Sequence, residues 1–454
     1  MILKPARDLR STLAEGLGKS LASLLIKTAT AGLTYLTYVV LARAMDATEY
    51  GLFAFGLSLA TLLSIAASMG QQTAILRYWP EETGAGQPDR ARAALRAGGA
   101  ITILAGSAIT LGLVFWALTL RLIDGSAATG HLLAAAALIV PMALAEYFSA
   151  ALRAQGSVWI ALAPRDLVWR ITLPVLVAAL YGVGLSLSGW QALLLTAATL
   201  GLALMLQAIA TRHRRLLLKP GREGLGDYVQ RRGGASRWFF LGTLIDSAAL
   251  NVDIILVGLM IAPEEAGHYF NAFRTAGLLT LFTFALTLVI APMVARHYHA
   301  GDMRKAQAVA ALCAWGGFVF SLVVFAGFVL FGDRLLSLFG PVPANGHLVL
   351  ILLGVGLLFD AATGPSRIVM MMTGHERAYV RIFGGLMGLG MLAQLALIPL
   401  FGIVGAAAAN MGARIVAQTA IALWSRRHIG LDTSLLGAFR MGRLANRTGP
   451  VASL

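Results

Sequence analysis

Uninterrupted apolar stretches of 18 residues or more recur from one end of this 454-residue chain to the other. Each is long enough to cross a hydrocarbon layer of about 30 Å. Apolar residues make up 58% of the chain and charged ones only 13%, against about 25% charged in soluble domains. A water-soluble core stops growing at about 250–300 residues, so this much apolar sequence needs lipid around it. Inside lipid, backbone N–H and C=O groups must be satisfied within the protein, which leaves helices or closed barrels. The stretches are continuous and do not alternate, which selects helices over barrel strands. The expected fold is therefore an all-α, polytopic membrane protein of about twelve transmembrane helices. The spans fall near 20–43, 50–70, 93–120, 130–152, 157–182, 189–211, 236–261, 266–293, 305–331, 346–373, 377–399 and 403–424.

The net charge of +15 acquires its meaning from its placement. With the N-terminus inside, 27 of the 36 Lys and Arg residues fall in inner loops and tails, and only Arg43, Arg121 and Arg334 fall in outer loops. That asymmetry is the positive-inside pattern, and it places both termini in the cytoplasm. The charge thus reads as a topology signal and as attraction to anionic membrane lipids, with no call on nucleic acid. The start of the chain lacks a signal-peptide pattern. It carries instead a charged lead with Lys4, Arg7, Arg10 and Lys19. The single cysteine, Cys313, excludes disulfides and cysteine-rich metal sites.

Five segments follow: a cytoplasmic amphipathic lead (1–19), an N-terminal six-helix lobe (20–211), a basic cytoplasmic linker (212–235), a C-terminal six-helix lobe (236–424) and a basic cytoplasmic tail (425–454). The lobes carry traces of duplication. EYG at Glu49–Gly51 recurs as EAG at Glu265–Gly267, AQG at Ala154–Gly156 as MTG at Met372–Gly374, and YGVGLSLS at Tyr181–Ser188 as FGIVGAAA at Phe401–Ala408. The offsets are nearly equal and the loops equivalent. An even number of helices per unit makes the repeats parallel, related by an axis along the membrane normal.

An ionisable group at mid-membrane costs about 2.5–3.5 kcal/mol on insertion scales, so each needs a partner or water. The predicted spans contain the cations Lys27, Arg165, Arg170, Arg274, Arg367 and Arg414, and the acids Glu146, Asp166, Asp246, Asp253 and Asp360. Ser20, Ser23, Lys27, Thr30 and Thr34 form one polar stripe by helical spacing. Asp246 and Asp253 share a helix face, as do Asn271 and Arg274, Asn410 and Arg414, and Asp360, Gly364 and Arg367, with a kink expected at Pro365. Asp166 and Arg170, at i,i+4, read as a structural pair as readily as a site. Lys27 and Arg274 have no acid at i±3 or i±4, which favours a hydrated cavity for both. Arginine forks match phosphate oxygens and lysine acts as a point charge, so such a cavity selects anions. The expected cargo ligands are Lys27, Arg170, Arg274, Arg367 and Arg414. Asp246, Asp253, Asp360, Asn271, Ser23, Thr30 and Thr34 complete the polar lining. The alternative for each is an ion pair or packing contact between helices.

Three stretches carry a family resemblance. VVLARAMDATEYGLFAFGLSLATLLSIAASMGQQTAILRYWPE (39–81) resembles the opening of bacterial polysaccharide exporters, the O-antigen-type oligosaccharide flippases of the multidrug/oligosaccharidyl-lipid/polysaccharide superfamily. NVDIILVGLMIAPEEAGHYFNAFRTAGLLTLFTFALTLVIAPMVARHY (251–298) is similar to that family's seventh and eighth helices, with Asp253, Gly267, Tyr269 and Pro292 in place. LIPLFGIVGAAAANMGARI (397–415) resembles its last interhelical turn. The resemblance implies two six-helix lobes in a V around a central cavity that opens alternately to either side. It implies an undecaprenyl-diphosphate-linked oligosaccharide as cargo, flipped outward across the bacterial inner membrane for surface polysaccharide assembly (O-antigen, lipopolysaccharide or exopolysaccharide). Polymerases and glycosyltransferases would be the neighbouring activities. The carrier would be a monomer with no cofactor beyond a coupling H+ or Na+. Related lipid II flippases, a second alternative, place cations comparably to Lys27 and Arg274 but usually have fourteen helices.

The chain lacks a P-loop and an HExxH motif, which argues against an ATPase or a zinc hydrolase. Its longest outer loops are too short for the catalytic acids of a membrane glycosyltransferase or polymerase. A transporter is expected, not an enzyme. The principal rival is a drug or metabolite antiporter of the same fold. A non-transporting assembly partner fits less well with so many intramembrane charges.

Overall fold

The computed structural model describes residues 29–124, 129–211 and 224–440. Among these every regular element is helical. In chain order they are α1 (29–44), α2 (Ala47–Ala67), α3 (Gln71–Gly84), α4 (Pro88–Asp124), α5 (Thr129–Ala154), α6 (Val158–Ala163), α7 (Trp169–Gly182) and α8 (Gly189–Thr211). There follow α9 (Leu225–Met260), α10 (Pro263–Ala276), α11 (Leu281–His299), α12 (Met303–Leu336), α13 (Gly346–Thr363), α14 (Ser366–Met372) and α15 (Glu376–Trp424). Eight of the described helical segments are long and apolar enough to cross a membrane. Their outward faces are coated with exposed hydrophobics such as Leu111, Phe115, Leu122, Leu312, Val323, Leu330, Leu392 and Leu400. Apolar surface on this scale is solvated by lipid tails and not by water.

Several expected boundaries shift. The second span continues beyond a break at Met69 and Gly70, both with positive φ, into α3. The seventh begins at Leu225, well inside the segment read as linker. Glycine and proline signals mark the other breaks. Pro263 opens α10, a position where its missing N–H costs nothing. Gly364, at φ +66°, separates α13 from α14, where the Pro365 kink was expected. Gly402, at φ +60° and ψ −142°, breaks the long stretch α15 into two helices. Pro164 begins a π-helical turn, Pro164–Val168, between α6 and α7. The end of the described chain turns back onto the bundle: Gln307 Nε2 donates to the Asp432 carbonyl at 2.6 Å, and Trp315 Nε1 to Leu435 O at 3.1 Å.

Helices starting at Ala47, Pro88, Thr129 and Val158 have counterparts starting at Pro263, Met303, Gly346 and Glu376, a nearly constant shift along the chain. The EYG and EAG motifs begin equivalent helices, α2 and α10, and these meet each other. A Cβ on Gly267 would lie 3.1 Å from Tyr50 Cδ1 and 3.2 Å from Gly51 Cα, while one on Gly51 would run into the carbonyl of Pro263. Thr48 Oγ1 donates to Glu264 Oε1 at 2.6 Å beside this crossing. Small residues permit such approaches in membranes, where helix association rests on close packing. Toward the other end, α3 meets the start of α9. There Glu82 lies 2.8 Å from Arg231 and 2.6 Å from Arg232, and Glu81 is 3.0 Å from Arg232.

Gly51→Val is expected to lower the thermal stability of the purified protein by about 1–3 kcal/mol, the usual cost of overpacking, because backbone blocks the added carbon. Gly112→Ala, where the added carbon meets open space, should leave the melting temperature in detergent unchanged and serves as the control.

Candidate functional site: an acid-free arginine between the halves

Lys27 and Ser23 lie outside the described residues. The other expected cations can be placed, and most already hold carboxylates. Arg165 bonds Glu146 on α5 and lies 3.7 Å from Asp166. Arg170 Nη1 is 3.6 Å from Asp166 Oδ1 and donates to the Asp166 carbonyl at 3.1 Å. Its guanidinium also sits over the Trp169 ring, 4.5 Å from the centroid. Arg367 reaches from α14 to Asp246 on α9 at 2.5 Å, and Tyr379 Oη donates to the same carboxylate at 3.0 Å. Arg367 and Asp360 share a helical spacing, yet Asp360 pairs with another residue, because the break at Gly364 and Pro365 interrupts the face.

That other residue is Arg414. Its Nη1 is 2.9 Å from Asp360 Oδ2 on α13, its Nε donates to Asn410 Oδ1 at 2.9 Å, and its Nη2 to the Ala249 carbonyl on α9 at 3.3 Å. Its side chain is only 8% exposed. Arg414 therefore ties three helices together. Asp253, one side of the same cluster, accepts from three neutral donors: Gln394 Nε2 at 2.6 Å, Tyr269 Oη at 2.9 Å and Asn410 Nδ2 at 2.5 Å.

Arg274 differs from all of these. Among the described residues it has no carboxylate within ion-pair distance, and its Nε has no hydrogen-bond partner. Its guanidinium sits over two rings, 4.7 Å from the centroid of Phe270 on its own helix and 5.5 Å from that of Tyr38 on α1. It is half-buried and lies roughly 16 Å along α10 from Pro263, about half a bilayer core. A cation–π contact contributes about 0.5–2 kcal/mol, against an insertion cost of about 2.5–3.5 kcal/mol for arginine at this depth. The rings hold and orient the guanidinium without neutralising it, so its outer edge is left for an anion or water.

Arg274 lies where the halves meet. Tyr50 Oη, on α2, donates to Asn271 Oδ1 on α10 at 2.6 Å. Thr275 Oγ1 donates to Tyr35 Oη at 3.5 Å, and Tyr35 Oη to Leu335 O at 3.4 Å. Thr30 is buried and Thr34 partly so, and the Thr34 hydroxyl donates to its own helix at Thr30 O, 2.6 Å away. Of the expected site residues, Asn271 is one turn from Arg274, while Asp246, Asp253, Asp360, Arg367 and Arg414 gather elsewhere in the second half, and Arg170 in the first. Sequence reasoning missed the aromatic cradle. The signal was available in Phe270 at i−4 from Arg274 and in Tyr38 continuing the Thr30–Thr34 stripe.

Breaking a buried ion pair from one side costs about 3–5 kcal/mol, because it leaves an uncompensated charge. Arg414→Met is expected to destabilise the detergent-solubilised protein by that amount, and Arg274→Met to leave its melting temperature unchanged or raised. Equal losses in both would show that Arg274 is as firmly partnered as Arg414.

The sequence matches the family model described as polysaccharide biosynthesis protein over residues 17–297. No curated protein matches it at a significant level. Among solved structures, an inward-facing multidrug resistance MATE family transporter of the MOP superfamily is similar at a TM-score of 0.68 and 16% identity, covering 95% of this chain and 100% of that one. An outward-facing MATE transporter of the same superfamily gives 0.63 and 15% identity over 94% and 96% of the two chains. A MOP superfamily transporter from Pyrococcus furiosus, described as having a binding pocket of reverse polarity that suggests a different function, gives 0.63 and 16% identity over 94% and 96%. At these identities the likeness is one of fold.

Proposed function

The chain belongs to the polysaccharide biosynthesis protein family, and from that premise we propose that it is a flippase. Its cargo is an oligosaccharide carried on undecaprenyl diphosphate, moved from the inner to the outer leaflet of a bacterial cytoplasmic membrane by alternating access. Twelve spans form two six-helix halves around a central cavity, with both termini cytoplasmic. Arg274 carries this reading. A guanidinium held between the halves by two rings, with no acid beside it among the described residues, can offer its fork to a diphosphate without first giving up an ion pair. Lys27, which lies outside the described residues, is the second proposed diphosphate ligand. The polyprenyl tail remains in lipid, and the arginine replaces the water that the diphosphate sheds. Arg170, Arg367 and Arg414 have carboxylate partners already and serve the architecture. Asp253, whose partners are neutral, is the acid proposed to take up the coupling ion when the empty carrier resets.

A second reading is a drug or metabolite antiporter, supported by the likeness to MATE transporters. The two make opposite demands on the cavity, since a cationic drug is repelled by an uncompensated arginine.

Arg274→Ala is expected to abolish export with the protein still in the membrane, and lipid-linked repeat units should then accumulate on the cytoplasmic face. Arg274→Lys should retain part of the activity, since charge survives but the fork is lost. Full export in Arg274→Ala, or gain of resistance to cationic drugs on expression of the unsubstituted chain, would favour the antiporter.

A further inference from the structure

Three arginines gather around one tryptophan where α9 and α15 meet. Arg237 on α9, and Arg377 and Arg381 on α15, place their guanidinium carbons 5.9, 5.7 and 5.9 Å from the centroid of the Trp238 ring. The two helices pack closely just beyond it. A Cβ on Gly384 would lie 2.6 Å from Ile245 Cδ1, and one on Gly242 3.6 Å from Val380 Cγ2. The three side chains converge because their helices do.

All three arginines are exposed. Among the described residues none of them forms an ion pair, and the acids of the surrounding elements are committed elsewhere. Asp246, about two turns along α9, holds Arg367 and Tyr379, and Glu81 on α3 holds Arg232. Glu376 adjoins Arg377, and even when it is counted the arginines outnumber acids three to one. Arg377 and Arg381 are like charges one turn apart, which repel. The indole attracts each guanidinium but has no charge to cancel theirs. An anion among them would cancel it.

The patch lies at the edge of the spans. Trp238 is near the start of the apolar span Ser236–Met260, and Arg377 and Arg381 occupy the first two turns of α15. Tryptophan at such an edge is an interfacial anchor. In the orientation proposed above, this edge faces the cytoplasm. The apolar side of the patch is equally defined. Arg377, Arg381, Gly385, Leu389 and Leu392 follow one face of α15 at helical spacing, and all five are exposed. A Cβ on Gly385 or Gly388 would meet open space, so the face is shallowly recessed between the arginines and the leucines. From Arg381 to Leu392 it runs about 16 Å, the depth of one leaflet.

We propose that this face of α9 and α15 binds an anionic phospholipid of the cytoplasmic leaflet. Its phosphate sits among Arg237, Arg377 and Arg381, and one acyl chain lies along the recessed face of α15. Basic pockets between helices on the cytoplasmic side suit such headgroups. The length of the apolar face selects a phospholipid, since a long polyprenyl chain would overrun one leaflet and a water-soluble phosphate has no use for the stripe. The inference goes beyond the flippase reading and does not rest on it. The patch shares no ring and no helix with the cradle of Arg274 on α10 and α1.

The test measures lipid binding to the full chain in neutral detergent at about 0.15 M salt, where distant surface charges are screened. The probes are dioleoylphosphatidylglycerol, dioleoylphosphatidylcholine and undecaprenyl diphosphate. At about fivefold per arginine, the unsubstituted protein should bind phosphatidylglycerol about 150-fold more tightly than phosphatidylcholine. Arg377→Gln with Arg381→Gln should cut that preference to about fivefold. Arg426→Gln with Arg427→Gln removes the same charge from exposed positions in the turn after α15, and should leave the preference within about twofold. Should the first pair lower the melting temperature, Arg237→Gln alone, expected to cost about fivefold, gives the same readout. Equal affinities of the unsubstituted protein for the two phospholipids would overturn the site. So would equal losses in the two double variants, which would spread the attraction over the whole basic face. A loss in the Arg377 and Arg381 variant that is greater for undecaprenyl diphosphate than for phosphatidylglycerol would also overturn it, by giving the patch to the cargo lipid. Each of these outcomes leaves the role of Arg274 as it stands.

Discussion

A charged or polar group placed in hydrocarbon has to be met by the protein itself, and the arrangement of these helices follows from how that is done. Arg367 joins α14 to α9 through Asp246, and Arg414 joins α15 to α13 and α9 through Asp360 and Ala249 O. Arg165 joins the π-helical turn to α5 through Glu146. Such pairs add little net stability relative to well-packed apolar residues, because both charges are desolvated. Their effect is on which helices can be neighbours, since any other packing strands a charge. Among the described residues Arg274 is the exception, and its cradle of rings without an acid has meaning only against that background.

Backbone proximity is the complementary constraint. Lipid supplies no hydrophobic drive for helix association, so contact between the halves depends on how closely α2 and α10 approach. Gly51 and Gly267 make that approach possible, and the Tyr50–Asn271 hydrogen bond lies within a turn of it. The same crossing brings Arg274 toward Tyr38. A rocking carrier of the proposed kind has to loosen these contacts on one side while keeping others. Polar contacts of a single hydrogen bond each, such as Thr48 with Glu264, are cheaper to exchange than a buried ion pair.

The intramembrane charges are met in different ways in the two halves. In the first half, Arg165 and Arg170 are held by Glu146 and Asp166. In the second, Asp253 is held by neutral donors and Arg414 by acid, amide and carbonyl together. Three different local chemistries are built from the same few residue types, and their difference lies only in who faces whom.

The all-helical, membrane-spanning class was legible in the chain because hydropathy and segment length act locally, and hydrocarbon leaves the backbone no other continuous solution. The duplication trace was legible too, because EYG and EAG each open an equivalent helix. Helix breaks at Pro164, Gly364 and Gly402 are signalled by residues whose backbone preferences are intrinsic. The roles of the charged residues were not legible. Asp360 and Arg367 share a helical face by spacing, yet their partners are Arg414 and Asp246 on other helices. Spacing along one helix says nothing about what a neighbouring helix presents at the same depth. That depends on crossing angles and rotations, which packing over the whole bundle sets, and it is there that Arg274 is left without an acid among the described residues.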